Sequence, residues 1–487
     1  MRIGVRAPIV AKKRGNSRGA KGRRKVDFVT DRQTSDNASI AVPHRAKQVD
    51  EGDEGTKIIR SWAESSVWTE RMLTTLEQGV KGGKWFSLID KVYRAENIAK
   101  AAKHVLRKKT GAGVDNITKA KYEAHLSEYN AQLANQLKSD TYRPLPIKRS
   151  YIAKPGSREK RPLGIPCLRD RIAQQALRQV IEPIFEIDFS PHSYGFRPQR
   201  SCKDALREAQ GWLEQDCQVV VDADLRKFFD TIDHGKMLAL IEQKISDGRV
   251  LKLISQFLQQ EIMEDLKTWQ PTEGTPQGAV ISPLLANIFL DPLDHLLQHQ
   301  GFHSVRYADD FVILCQNDEE ADSALEVVRA WCAEAALTLH PDKTHIVDMR
   351  LKGSWFDFLG YRFKRTLKKG NMIRVPSDKA QGKLRQSLRP LVKRTSGISL
   401  EQIIEKINPK LRGWFEYFKH SYIGVMKDID GWVRMRLRSI LRKRRKGKGR
   451  GRGADHQRWP NAYFEERGLF VLEIARAQAV QSLWSNH

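Results

Sequence analysis

The chain has 487 residues, with 85 Lys and Arg against 58 Asp and Glu, a formal net charge of +27. Hydrophobic residues make up 40% and charged residues 29%, so there is ample material for packed cores across two or three domains. No apolar run reaches the roughly 18–20 residues that span a bilayer. The charge favours a polyanionic partner, most simply nucleic acid.

The N-terminus is basic and has no apolar stretch of a secretory signal. Residues 1–25 carry ten Lys or Arg and no Asp or Glu. Residues 26–60 are polar and unpatterned. Such a stretch buries too little apolar surface to offset its ordering entropy, so 1–60 is expected to be a disordered basic arm. Order is expected from Ser61 and Trp62 onward. Ile172, Ala173, Ala176, Leu177, Val180, Ile181 and Ile184 recur at helical spacing, with Pro183 expected to close or kink the helix. Val219 to Leu225 reads as a strand, with Asp222 and Asp224 on one face and Val219, Val221 and Ala223 on the other. Ser282-Pro283 reads as a helix start, Ser as the cap and Pro in the first turn. Arg306-Tyr-Ala-Asp-Asp-Phe-Val-Ile-Leu314 reads as a hairpin with its acids at or beside the turn. The fold class is therefore α+β, becoming mostly helical beyond 375.

Arg442 to Arg452 holds eight basic residues in eleven. Its interspersed glycines suggest a flexible loop. Cys167, Cys202, Cys217, Cys315 and Cys332 are scattered, with no C-x-x-C, which argues against a disulfide framework and for a reducing compartment, the cytoplasm. His295, His299 and His303 are spaced by four, but no second pair completes a tetrahedral zinc site.

Adjacent acids in an apolar setting, such as Asp309 and Asp310, are costly unless a cation neutralises them, although Asp also favours solvated turns. Tyr307-Ala-Asp-Asp310 resembles the Y-x-D-D box of reverse transcriptases, and Asp224-Leu-Arg-Lys-Phe-Phe229 the strand that supplies the third acid. Further blocks follow in the same order. Gly111-Ala-Gly-Val-Asp115 comes first, then Lys154 to Pro166 with Asp170-Arg171, then Ser193-Tyr-Gly-Phe-Arg-Pro198. Gly274-Thr-Pro-Gln-Gly278, Ser282 to Asn287, His340-Pro-Asp-Lys-Thr344, Phe358-Leu-Gly360 and Leu411-Arg-Gly-Trp414 complete the set. Together they resemble the reverse transcriptase/maturase proteins encoded by bacterial group II introns, in the branch that lacks an endonuclease.

That resemblance implies a right-hand polymerase fold: fingers and an antiparallel palm sheet over 61–375, a helical thumb or maturase domain over 376–440, and a basic DNA-binding tail over 441–487. It implies RNA-directed DNA synthesis with two Mg²⁺ ions, or Mn²⁺ in their place, held by Asp224, Asp309 and Asp310, with Leu225 in the same metal set. Asp222 is kept as support. Lys160 and Arg161 would bind the triphosphate, Gln277 the nascent pair, and Phe229 would exclude a ribose 2′-hydroxyl. One of Phe228 and Phe229 would instead be core. Lys343 would face the metals, or be a surface-turn lysine. Arg442, Lys443, Arg444, Arg445 and Lys446 would bind nucleic acid. The implied partners are group II intron RNA, target DNA and deoxynucleoside triphosphates, in a nucleoid-associated ribonucleoprotein. Two readings compete: a non-catalytic splicing cofactor, and a domesticated reverse transcriptase of a defence system. In the block usually written P-Q-G-G, Ala279 replaces the last glycine, which matters only if that position needs positive φ.

Overall fold

The structure, a computed structural model, describes residues 23–25 and 59–484, apart from 81, 109–110, 154–159, 266 and 367–369. Twelve strands form three sheets among these residues. The central sheet has the order β1 (Arg23–Lys25), β9 (His345–Asp348), β4 (Val219–Asp224), β8 (Asp310–Cys315), β7 (His303–Tyr307), and every pairing in it is antiparallel. A second sheet comprises β3 (Lys160–Ile165), β2 (Ile147–Ala153), β5 (Ile262–Glu264) and β6 (Lys267–Trp269) in that order. The third is an antiparallel meander of β10 (Trp355–Phe358), β11 (Tyr361–Arg365) and β12 (Met372–Pro376). From Leu400 to Trp484 the described chain is helical, led by two long helices, Leu400–Phe418 and Ile423–Arg444.

Strand parity divides the interior in two. Val219, Val221 and Ala223 of β4, with Phe311, Ile313 and Cys315 of β8, face one hydrophobic core shared with the earlier helices. Val220 of β4, with Val312 and Leu314 of β8, faces a second core that takes in the third sheet and the C-terminal helices. Asp222 and Asp224 share the parity of Val220, as expected from the period of two. The acids therefore sit where the second apolar face runs out.

Several expectations need adjustment. The helix around 172–184 runs Leu168–Glu186, through Pro183. The Gln179 carbonyl, which would have accepted the missing Pro183 N–H, accepts the Trp68 indole N–H at 3.1 Å instead. Ser282 is the first residue of its helix rather than the cap, and its hydroxyl is engaged with Thr275 Oγ1 at 2.6 Å and the Pro276 carbonyl at 3.0 Å. Arg442, Lys443 and Arg444 form the last turn of the 22-residue helix, not a loop. Cations suit a helix C-terminus, and the first glycine comes only at 447. That helix also runs through the expected boundary at 440/441. Within the expected basic arm, Arg23–Lys25 form an edge strand paired with β9; most of the rest lies outside the described residues.

Candidate active site

β4 and β8 pair in a register that sets Asp224 directly opposite Asp310. In the β7–β8 hairpin Tyr307 pairs with Asp310, leaving Ala308 and Asp309 as a two-residue turn. Ala308 has φ +61°, and Asp309 is not in the left-handed region, the sign pattern of a type II′ turn. Glycine is the usual residue there, so a non-glycine is held by its surroundings.

Those surroundings are specific. A Cβ on Gly195 would lie 2.1 Å from the Ala308 nitrogen, so the Ser193-Tyr-Gly-Phe block packs backbone on backbone against the turn. Tyr194 N–H donates to the Arg306 carbonyl at 2.9 Å, and Arg306 N–H to the His192 carbonyl at 3.0 Å. Arg306 is 1% exposed. Its Nε donates to Asp294 Oδ1 at 2.7 Å and Oδ2 at 2.9 Å, and its Nη1 to Asn287 Oδ1 and to the Ala308 carbonyl, both at 3.0 Å. Asn287 Nδ2 in turn donates to the Gly195 carbonyl at 2.9 Å. Arg306, Asp294 and Asn287 were not singled out from sequence, though two signals pointed to them. Asn287 and Asp294 lie seven apart on one face of a leucine-rich helix, and Arg306 stands between Val305 and Tyr307 in its strand.

The acids crowd one another. Burial, then the charges of Asp224 and Asp309, push Asp310 up to about 7. Burial and Asp224 also raise Asp309, while Arg161 and Lys343 oppose the shift. Lys343 Nζ donates to Asp224 Oδ2 at 2.6 Å. Among the described residues no three His, Cys, Asp or Glu side chains converge as a ready-made metal cage. The three carboxylates are neighbours, and Lys343 holds one of them. Leu225 is buried, and no hydrogen-bond donor meets its carbonyl among the described residues. Its bridge to Leu339 is made by neighbouring groups, Arg226 N–H to the Thr338 carbonyl and His340 N–H to that of Asp224, both at 2.8 Å.

Phe228 is 1% exposed and packs edge-on against Phe289, whereas Phe229 is half-buried. The Phe229 carbonyl accepts the Thr275 N–H at 2.7 Å, fixing its segment to the Gly274–Gly278 loop. In that loop Gln277 Nε2 donates to Asp230 Oδ1 at 3.4 Å, and the Gln277 carbonyl accepts Gly164 N–H at 2.7 Å. A Cβ on Gly278, at φ +113°, would lie 2.5 Å from the Gly164 carbonyl, so the second sheet closes on this loop backbone to backbone. Ala279 is not in the left-handed region, so alanine is tolerated there. Lys160 and Arg161 are exposed at the start of β3; Lys154 to Glu159 of the same block lie outside the described residues. Asp170 and Arg171 are structural. Asp170 accepts Tyr142 O–H at 2.7 Å, and Arg171 Nη2 donates to the Gly111 carbonyl at 2.8 Å.

The histidines do not converge. His295 Nε2 lies 2.9 Å from the Asp188 carbonyl, and His303 stacks on Trp212 with centroids 3.7 Å apart. In the basic cluster, Arg442 pairs with Asp455 at 2.5 Å and Arg444 donates to the Ile398 carbonyl; Arg445 and Lys446 lie exposed beyond the helix. All five cysteines are free thiols, and no described helix is long and apolar enough to cross a membrane.

Residues 152–363 match the family "Reverse transcriptase (RNA-dependent DNA polymerase)", and residues 381–459 match "Group II intron, maturase-specific domain". The chain is 34% identical over 345 residues to Protein YkfC of Escherichia coli, an alignment covering 61% of this chain and 88% of that protein. It is 40% identical over 190 residues to the group II intron-encoded protein LtrA of Lactococcus lactis, covering 38% of this chain and 31% of LtrA. A chain of a solved "Partial Cas6-RT-Cas1--Cas2 complex" overlaps 51% of this chain and 41% of its own length at TM-score 0.33 and 25% identity, an overlap that carries no argument.

Proposed function

The chain belongs to the group II intron reverse transcriptase/maturase family, and on that premise we propose that it binds its own intron RNA, assists its splicing and copies it into DNA during intron mobility. The observation that carries the polymerase half is the β4–β8 register, with Asp224 opposite Asp310 and Asp309 in the adjoining turn. The central sheet is read as a palm, the second sheet as part of the fingers, and the C-terminal helices as thumb and maturase.

Reverse transcriptases generally use divalent metal ions. Three neighbouring carboxylates, of which Asp309 and Asp310 have a raised affinity for protons, are an oxygen-only donor set suited to a hard cation. Mg²⁺, or Mn²⁺ in its place, would be held by Asp224, Asp309 and Asp310, with the Leu225 carbonyl available beside them and Asp222 on the same strand face. When bound, two such ions activate the primer 3′-hydroxyl and stabilise the leaving pyrophosphate. The side chains do the rest. Lys160 and Arg161 bind the triphosphate of the incoming deoxynucleotide, and the electrostatic reach of Arg161 to Asp309 supports that placement. Half-buried Phe229 packs against the sugar, since Phe228 is committed to the core. Gln277 sits on a glycine-bounded turn facing the nascent pair. Lys343 neutralises Asp224 and orients it. Arg445 and Lys446, with Lys443 on the preceding turn, contact intron RNA and target DNA, whereas Arg442 and Arg444 brace the segment.

Primer extension on an RNA template with Mg²⁺ tests the reading. Wild type makes DNA, and Asp309→Ala lowers the rate by about three orders of magnitude or more, the loss expected when a principal charge-stabilising group is removed. Equal product from both proteins, or none from wild type, refutes it. In the same assay Phe229→Ala relaxes discrimination against ribonucleotides, and unchanged selectivity removes it as the sugar gate.

A further inference from the structure

A cavity of about 180 Å³ opens between the helix Cys202–Glu214, the third sheet and the turn that follows the helix Leu400–Phe418. Its floor is apolar and rigid: Leu206 and Tyr361 are each 1% exposed, and Tyr361 O–H donates to the Tyr417 carbonyl at 2.6 Å. Its walls are cationic. Lys203 and Arg207 come from the helix Cys202–Glu214, Arg374 from β12, and His420 from the turn after the helix Leu400–Phe418. Arg476 of the helix Leu472–Trp484 closes on the same corner, its Nε 3.2 Å from the Ser421 carbonyl.

Carboxylates lie nearby, but none accepts a hydrogen bond from Lys203 or Arg374 among the described residues. Asp204 takes Arg207 at 2.9 Å, Glu416 takes Lys419 at 3.0 Å, and Glu214 is the acid within electrostatic reach of Arg374. Neither Lys203 nor the half-buried guanidinium of Arg374 donates a hydrogen bond among the described residues, although the latter lies over the Tyr361 ring at 5.9 Å from its centroid. Burial, together with Arg374 and Lys203, depresses His420 to about 4, so the imidazole is a neutral hydrogen-bonding group in this field. Partly desolvated cations without counter-charges are costly unless a ligand supplies one.

We propose that this pocket holds one backbone phosphate of an unpaired RNA strand, gripped by Lys203 and Arg374 with His420 as a hydrogen-bonding partner. The volume suits a single phosphate group. Arg and Lys donors match its oxygens. Tyr422, two residues after His420 and 50% exposed, offers a face on which a flanking base can stack. Tyr422 is fixed there by its N–H to the Arg374 carbonyl at 3.0 Å. The proposal rests on the maturase reading only for the source of the phosphate; free phosphate or pyrophosphate is the other source of the same chemistry.

The test uses the full chain and a short labelled single-stranded RNA, titrated by fluorescence anisotropy across a KCl series. For the double variant Lys203→Gln/Arg374→Gln, the slope of log affinity against log salt falls by about 0.7, the loss of one neutralised phosphate on a single strand. Lys203→Arg/Arg374→Lys, which keeps both charges, keeps most of the slope. Thermal midpoints verify folding. Should the double variant not fold, Lys203→Gln alone lowers the slope by part of that amount, because Arg374 still faces the same phosphate. An unchanged slope in a folded variant overturns the proposal. So does stabilisation of wild type by sodium pyrophosphate beyond that of chloride at matched ionic strength, if the RNA slope is unaltered, since the pocket then takes the free anion. Primer extension by wild type, run alongside, reports on the polymerase reading independently of either result.

Discussion

Two hairpin turns of the same length behave in opposite ways. In the β10–β11 turn, Leu359 at φ +50° and Gly360 at φ +78° adopt the sign pattern of a type I′ turn, with glycine at its second position. Its main tie to the helices is one hydrogen bond, Tyr417 O–H to the Leu359 carbonyl at 2.8 Å. In the β7–β8 turn, Ala308 takes the left-handed position without glycine, and a buried frame of Arg306, Asp294, Asn287 and Gly195 surrounds it. The first turn is made by local sequence, the second by tertiary structure. A turn that must aim carboxylates carries no glycine and is held by a buried frame, whereas one that only joins strands has glycine at one of its two left-handed positions and Leu359 at the other.

Breaking the frame has the largest effect on the fold. Arg306→Met leaves the Asp294 carboxylate buried and unpaired, and costs about 3–5 kcal/mol by chemical denaturation. The double variant Arg306→Met/Asp294→Leu recovers most of that stability but not polymerase activity, because the Ala308 carbonyl and Asn287 lose their donor. Equal recovery of both would mean that the frame serves stability alone. Gly195→Ala comes next. Its methyl group meets the Ala308 backbone, costs about 1–3 kcal/mol, and lowers the extension rate disproportionately. At the other turn, Gly360→Ala meets no atom closer than the Phe418 ring at 3.8 Å, so only the backbone conformation is penalised, by about 1 kcal/mol, with extension nearly unchanged. Smallest is Ala308→Gly, where relief of strain offsets the added freedom of the unfolded chain, so stability moves by less than about 1 kcal/mol.

The same contrast explains what could be read beforehand. Strand parity was legible because it needs only a period of two; it placed Asp222 and Asp224 on one face and Val219, Val221 and Ala223 on the other. The Ala308–Asp309 turn was legible because its flanks are apolar on both sides. Residues whose role depends on a distant partner were not. The register that sets Asp224 against Asp310 joins positions 86 apart in the chain, and nothing local reports it. Pro183 was expected to close or kink its helix; the helix continues to Glu186, and the Gln179 carbonyl is met by Trp68, 111 residues away, which no local signal reports. Glycines at 447 and beyond made the whole basic cluster look like loop, although the residues before them are good helix formers. The choice between Phe228 and Phe229 was likewise a question of burial, which adjacent identical residues cannot express in sequence.

The central claim, that Asp224, Asp309 and Asp310 jointly hold the metals, is tested most directly by Mn²⁺ stoichiometry. Electron paramagnetic resonance titration of the full chain, with an RNA template, a dideoxy-terminated primer and the matching deoxynucleotide, counts bound ions without requiring turnover. Wild type should bind two Mn²⁺ ions at the site, and Asp310→Asn should lose at least one while retaining its thermal midpoint. Identical stoichiometry and affinity in the two proteins would contradict the assignment.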